Sequence, residues 1–193
     1  GKENPHYKKD GKREGDKPVV GLDYKSFGQS LKSDDKRTAI GVRDKDSVTT
    51  YAHVVDQKGV GDGYIVDKLT EDIEDLGHTD IILKGDGEPA LVQMMNEVKR
   101  KRKGSTIILN SPAYDPQSSG AIEKAVDQFM GQLRTLKLGL EARIGVPIET
   151  HWNIMSWLVE HSCTTINRGQ LGHDGKTPYR RLLGTDPTQS MLK

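Results

Sequence analysis

Cysteine is nearly absent: Cys163 is the only one in 193 residues. An internal disulfide and a zinc knuckle are therefore both excluded, because each needs partner ligands. A reducing, intracellular setting follows as the default expectation. Aromatic residues are scarce at 5%, and no apolar run approaches the ~18 residues that read as a membrane span. The first residues carry no secretory pattern, so membrane-spanning and secretory classes drop out. An excess of one charge is missing too, with 29 Lys and Arg against 28 Asp and Glu. That balance lacks the strong positive charge often found in nucleic-acid enzymes.

The near-zero total hides two unlike halves. Residues 1–97 carry 15 basic and 20 acidic side chains, while residues 98–193 carry 14 and 8. An acidic half beside a basic one suits a metal site next to a polyanion surface. Residues 1–17 are charged and glycine-rich and bury too little to offset ordering entropy, so they read as a flexible basic and polar tail or linker. The abrupt start without Met suggests a fragment of a longer polypeptide. One domain is expected over 18–184, followed by a C-terminal tail at 185–193.

Inside that domain, β-like segments are expected at Val19 to Tyr24, Thr38 to Val42 and Val48 to Val55, with hairpin-length connections. A helix over Gly61 to Leu76 follows from Ile65, Leu69, Ile73 and Leu76 at helical spacing. Then strands at Asp80 to Leu83 and Thr106 to Leu109 flank a helix from Pro89 to Lys101, an alternation that makes this part of the sheet parallel. After a loop from Asn110 to Ser119, a long helix carries the stripe Ile122, Val126, Phe129, Leu133, Leu136 and Leu140. Pro147 is expected to open a further helix through Ile154, Leu158 and Cys163. The fold class is α/β: a five-stranded mixed sheet, three strands antiparallel and then two parallel, with helices on both faces.

Three acids fall where such a sheet exposes side chains. Asp23 ends the first apolar run, Asp86 follows the strand Asp80 to Leu83, and Glu123 begins the long helix. At 100° per residue, Glu123 lies about 100° from Ile122, beside a buried stripe that stays within about 40° of it. Ser119, Asp127, Met130 and Arg134 share that side. Convergent carboxylates repel one another unless a cation lies between them, and hard oxygen ligands select Mg²⁺ or Mn²⁺. Two such ions support phosphoryl transfer. Against this stands the plain alternative that, among 28 acids, any trio is a set of solvated surface groups.

Sequence context adds a resemblance. The blocks Gly21-Leu22-Asp23-Tyr24-Lys25, Lys84-Gly85-Asp86-Gly87-Glu88-Pro89-Ala90-Leu91 and Ser111 to Glu123 resemble, in order, the catalytic blocks of retroviral and retrotransposon integrases. The third is the most specific, running Tyr114-Asp115-Pro116-Gln117-Ser118-Ser119-Gly120-Ala121-Ile122-Glu123. Asp86 and Glu123 have 36 residues between them, where the family pattern has 35. Asn167-Arg168 and Lys176 to Gly184 resemble segments that close retrotransposon integrase cores. The resemblance spans about Pro18 to Gly184 and implies a ribonuclease H-like catalytic core within a Pol-type polyprotein. It implies a catalytic and metal-binding triad of Asp23, Asp86 and Glu123 holding two Mg²⁺, with Mn²⁺ as a substitute.

The implied activity is that of a polynucleotidyl transferase. Water frees a 3′ end of the element's DNA, and that end is then joined to target DNA. Implied partners are both DNAs and further copies of the chain, as a homodimer or higher oligomer, with no organic cofactor. The implied setting is chromosomal DNA in the nucleus, with a virus-like particle compatible. Two alternatives remain: a ribonuclease H-like nuclease or DNA transposase, and a non-catalytic DNA-binding or assembly module derived from an integrase.

The match departs from the family at Gly87-Glu88, where Asn-Gly is common, and at Ser119, commonly Gln. Asp127 stands where retroviral enzymes often carry a DNA-contacting Lys four residues after the catalytic Glu, and Met130 stands seven after it. Candidate DNA contacts are therefore Lys124 and Arg134, Tyr114 as a stacking group, and Ser119 and Gly120 on the backbone. The run Lys99-Arg100-Lys101-Arg102-Lys103 could contact phosphates or simply complement a helix end. Lys58 to Gly63 is a turn rather than a phosphate cradle. The histidines, His53 and His78 among them, have no metal-ligand spacing and read as surface or packing residues. Trp152 and Trp157 suit a core or a dimer surface, and Cys163 a small buried apolar group.

Overall fold

The computed structural model describes residues 17–28, 36–61, 63–110, 116–188 and 190. Alternation decides which way each strand faces. In β1, Val19–Phe27, the side chains of Val20, Leu22 and Tyr24 are buried on one side. Gly21, Asp23 and Lys25 therefore share the other. With β2 (Arg37–Asp44), β3 (Thr50–Val55), β4 (Ile81–Gly85) and β5 (Thr106–Asn110), the sheet order is β3-β2-β1-β4-β5. The β1/β2 and β2/β3 pairs are antiparallel, and β4 is parallel to both β1 and β5. This is the five-stranded mixed sheet expected from the segment pattern.

Helices cover both faces. On one, α1 (Gly63–Asp75) and α2 (Pro89–Lys101) bury Leu69, Ile73, Met94 and Met95 against Val20, Leu22, Ile40 and Leu83. On the other, α3 (Pro116–Ile144) and α4 (Ile154–Gly169) bury Val126, Phe129, Leu158 and Val159 against Ala39 and Ala52. The expected stripe of α3 is buried at Ile122, Val126, Phe129 and Leu133, with Leu136 and Leu140 half-buried. Three details differ from expectation. Helix α3 already begins at Pro116, which suits a first helical position. Pro147 opens no helix: Gly145, at φ 75°, ends α3, and the proline lies just past that stop. The segment after it folds back, with the Ile148 amide donating to Glu141 Oε1 at 2.7 Å, and α4 starts only at Ile154. A short helix, α5 (Pro178–Leu183), adds Thr177 as its N-cap and Gly184 at φ 76° as its C-cap.

Two side chains fasten the edge strand β3. Asn167 of α4 accepts from the Thr50 amide at 2.9 Å and donates to the Thr50 carbonyl at 2.7 Å, standing in for a neighbouring strand. His53, 7% exposed, lies between helices of opposite faces: Nε2 is 2.6 Å from Asp72 Oδ2 of α1 and Nδ1 is 3.1 Å from Glu160 Oε1 of α4. Burial opposes a charged ring here, but the hydrogen bonds and charges of Asp72 and Glu160 outweigh it and hold His53 above its ordinary value. A doubly protonated ring donates to both carboxylates at once. Because the folded-state value is raised, this contribution is complete below the unfolded value of about 6.5 and fades as pH rises through the folded value. The thermal midpoint should accordingly fall on raising pH from about 6.5. A His53→Ala variant should lose about 3 kcal/mol in denaturant unfolding and flatten that dependence, because Asp72 is left buried without its partner.

Candidate active site

Strand register brings the first two acids together. Gly21 of β1 lies opposite Lys84 of β4, so two residues further along the parallel pair Asp23 meets Asp86 just past the end of β4. Asp23 does not end its strand as expected but sits mid-way along β1, which continues to Phe27 through its pairing with β2. Asp86 is set just beyond β4, where its Oδ1 accepts from the Glu88 amide at 3.1 Å in the turn that starts α2. The third acid depends on how closely α3 can approach the sheet. A Cβ at Gly21 would lie 3.1 Å from Ile122 Cβ, and one at Gly41 would lie 3.2 Å from both Phe129 and Val126. Gly41 is the β2 partner of Asp23. The missing side chains let α3 settle over this spot, and Glu123, next to Ile122, enters the same cleft.

Asp23, Asp86 and Glu123 line one cavity of about 240 Å³, with Arg43, Lys45 and Lys84 on its remaining walls. Asp23 is pushed up to about 6, first by burial, then by the charge of Asp86, with Glu123 adding to it. A backbone hydrogen bond at Tyr24 and the charge of Lys25 pull the other way. Asp23, its proton affinity raised by burial and by the two neighbouring carboxylates, forms with them a hard-oxygen site suited to a divalent cation. Their ligand atoms do not all lie within 4.8 Å of one another. Among the described residues, Asp44, Asp46 and His78 do bring one such atom each to within 4.8 Å of the others.

That second group sits at the start of β1, since Asp44 is opposite Val20. The Asp44 carboxylate is fully buried and already accepts from the Ser47 amide at 2.7 Å and from Ser47 Oγ at 2.6 Å, with His78 Nε2 3.1 Å away. Its bonds hold the β2 to β3 turn, a contact of His78 that chain spacing could not reveal.

Other charges frame the cleft. Lys25 Nζ is 3.2 Å from Asp127 Oδ1, joining β1 to α3 one turn beyond Glu123. Lys58 Nζ is 2.8 Å from both Glu88 carboxylate oxygens and 5.2 Å from the Tyr24 ring centre, and Tyr24 Oη accepts from the Gly59 amide at 3.1 Å. The chain at Lys58 and Gly59 is thus clasped to Glu88 and Tyr24, and its lysine is paired.

Of the expected DNA contacts, Gly120, Lys124 and Arg134 are exposed on α3. Tyr114 and the Ser119 side chain lie outside the described residues. The basic run is at the opposite end of α2 from Asp86, roughly 20 Å away for 13 residues at 1.5 Å each. Arg102 is 7% exposed and donates to Thr106 Oγ1 at 2.7 Å and the His78 carbonyl at 2.8 Å, so it is a structural residue rather than a phosphate contact. Arg100 pairs with Glu97 and Lys101 with Asp67. Lys99 and Lys103 are exposed at that end. Trp152 and Trp157 are 39% and 52% exposed, which removes the core reading for both, whereas Cys163 is buried.

No family model and no curated protein matches the sequence. Solved structures do match the fold. The chain is similar to a chain of the simian T-cell lymphotropic virus intasome in complex with PP2A regulatory subunit B56 gamma, with a TM-score of 0.65 and 16% identity. That match covers 88% of this chain and 57% of the other, so the chain spans little more than half of that relative. It is also similar to the HTLV-2 integrase catalytic core domain in complex with magnesium. For the trimeric form the TM-score is 0.61 at 13% identity, over 85% of this chain and 95% of that one. For the dimeric form the values are 0.58 and 13%, over 83% and 92%. Identities this low carry the fold alone: the chain has the ribonuclease H-like fold of integrase catalytic cores.

Proposed function

We propose that this chain is the catalytic core of a DNA integrase from a retrotransposon or retrovirus-like element, encoded within a Pol-type polyprotein. The observation that carries this reading is the convergence of Asp23, Asp86 and Glu123, from two strands and a helix, in one cleft of an integrase-like fold. The three carboxylates would hold two Mg²⁺, with Mn²⁺ able to substitute, and the ions when bound would activate an attacking oxygen and stabilise the leaving one. The magnesium of the similar HTLV-2 core supports that choice.

The chain's own residues supply the rest. Asp23 would fix the ligand geometry from the middle of β1 and Asp86 from the turn after β4, and Glu123 would complete it from α3. Solvent reaches the cleft, as hydrolytic processing of a DNA 3′ end requires, and joining the freed hydroxyl to target DNA uses the same acids without a covalent protein intermediate. DNA is the proposed substrate, and further copies of the chain are proposed partners. The trimeric and dimeric forms of the HTLV-2 core, and the exposed Trp157, Ile154 and Leu138 on α4 and α3, support self-association. Among the described residues, no helix is long and apolar enough to cross a membrane.

A disintegration assay on a branched oligonucleotide tests the reading, because it needs the acids but not flanking domains. Product should form with Mg²⁺ or Mn²⁺, vanish with chelator, and be lost in Glu123→Gln. Equal product from wild type and this variant would sink the assignment.

A further inference from the structure

Beside the acids, the same cleft holds two cations, Lys84 and Arg43, that form no ion pair with a carboxylate among the described residues. Lys84, Gly21 and Arg43 are direct neighbours across β4, β1 and β2, because Gly21 is opposite Lys84 on one side and Arg43 on the other. They form the row next to Asp86, Asp23 and Gly41, offset by two residues and thus by about 7 Å along the strands. Even spacing keeps Lys84 on the same face as Asp86, and Gly21 on the same face as Asp23. The sheet face therefore carries two acids on one row and two cations flanking a glycine on the next.

The unusual feature of these cations is that no carboxylate among the described residues contacts them. Among the described residues, Lys25, Lys58 and Lys101 each pair with a carboxylate, whereas no carboxylate lies within 4.0 Å of Lys84 or Arg43. Both are half-buried, and Arg43 makes its side-chain bond to a neutral partner, Thr50 Oγ1, at 2.5 Å. Burial and the nearby Arg181 bring Arg43 down to about 10 against the opposing pull of the Asp44 charge, which still leaves it charged at neutral pH. A desolvated cation without a counter-ion is costly unless a ligand supplies one. Here both open into the cleft where the acids lie.

We infer that Lys84 and Arg43 form a phosphodiester-binding row for a nucleic-acid strand, holding the phosphate adjacent to the one positioned at Asp23, Asp86 and Glu123. This inference rests on the proposed phosphoryl-transfer role of those acids. The row spacing is comparable to the separation of successive phosphates along one strand. Arg43 can present a planar fork to a phosphate, and Lys84 adds a point charge. Gly21 lies between them under Ile122, so the two cations reach the cleft on either side of that contact. The row also offsets the repulsion that three carboxylates would exert on an approaching polyanion.

The test uses the full chain and a fluorescein-labelled DNA oligonucleotide, read by anisotropy across a salt titration with Mg²⁺ present. Lys84→Gln and Arg43→Gln should each weaken binding several-fold and lower the slope of log affinity against log salt by about one, and the double variant by about two. Lys68→Gln, the same charge change on α1, should leave the slope unchanged. Circular dichroism melts select variants that remain folded, and Arg43→Lys should recover most of the slope. Inorganic phosphate should compete only weakly, because one anion lacks the neighbouring phosphate at the acids. Absence of DNA binding by the wild type, or wild-type slopes in both single variants, overturns the row. If those slopes are unchanged while Asp23→Asn is inactive but binds DNA normally, the row fails and the active-site reading stands. If Asp23→Asn keeps full activity, the active-site reading fails first, and the row with it.

Discussion

Asp23→Asn should abolish metal-dependent phosphoryl transfer, by about a thousandfold or more, the scale of losing a group that acts on transition-state charge, while leaving the metal-free protein as stable as the wild type or more so. The two effects have one origin. Asp23 is half-buried beside Asp86 and Glu123, so its ionised form is disfavoured in the folded chain, and its value moves from 3.8 to about 6. A raised folded-state value means that the native chain binds a proton more tightly than the unfolded chain does. The Asp23 contribution to wild-type stability should therefore decline as pH rises from about 4 to about 6, below the range in which His53 acts. Asparagine removes the buried charge and with it this decline. Differential scanning fluorimetry between pH 4 and 8 reads the slope, and added Mg²⁺ should raise the wild-type midpoint but not that of the variant. A variant midpoint well below the wild type at neutral pH would show Asp23 to be a structural anchor.

Phe129→Ala should cost about 3 to 5 kcal/mol, the usual range for deleting a buried aromatic side chain. Phe129 is fully buried, and its ring packs where Gly41 leaves space on β2. Neighbours cannot readily refill the cavity, because the sheet beneath is held by strand pairing. Denaturant unfolding should show the loss as a lower midpoint with little change in slope. Glu123 rides on the same helix six residues earlier, so disintegration activity at a permissive temperature should fall as well, whereas DNA binding through Lys84 and Arg43 should persist. Phe129→Leu, which keeps much of the volume, should fall between the two proteins on both measures.

Much of this was legible in order along the chain. The alternation around Asp23 marks a strand whose acid lies on the opposite side from Val20 and Leu22, and the stripe through Phe129 marks the face that α3 buries. The Thr177-Pro178 start and Gly184 stop of α5 are equally local, although the segment was read only through its resemblance and not as a helix. Pro147 misled because a proline suits both the first turn of a helix and the stretch just after a helix ends, and Gly145 decides between them. The basic run looked uniform as a string. Arg102 turned inward because α2 ends there and β5 begins, placing its guanidinium against Thr106 and the His78 carbonyl. Lys84 could have been noticed as the residue sharing a strand face with Asp86, but Arg43 could not.

The sequence by itself determined most element types, the two apolar faces of the sheet, the candidate acids and the exclusion of an internal disulfide, because each depends on residue identity and on periods of two or 3.6. Tertiary structure alone decided what lies across from what. Strand register put Gly21 between Lys84 and Arg43, and the Gly21 and Gly41 contacts set how closely α3 brings Glu123 to Asp23. His53 reached Asp72 and Glu160 by the same kind of long-range meeting, 19 and 107 positions away. Such pairings depend on hydrogen-bonded register and close packing between distant segments, and local periodicity carries no information about either.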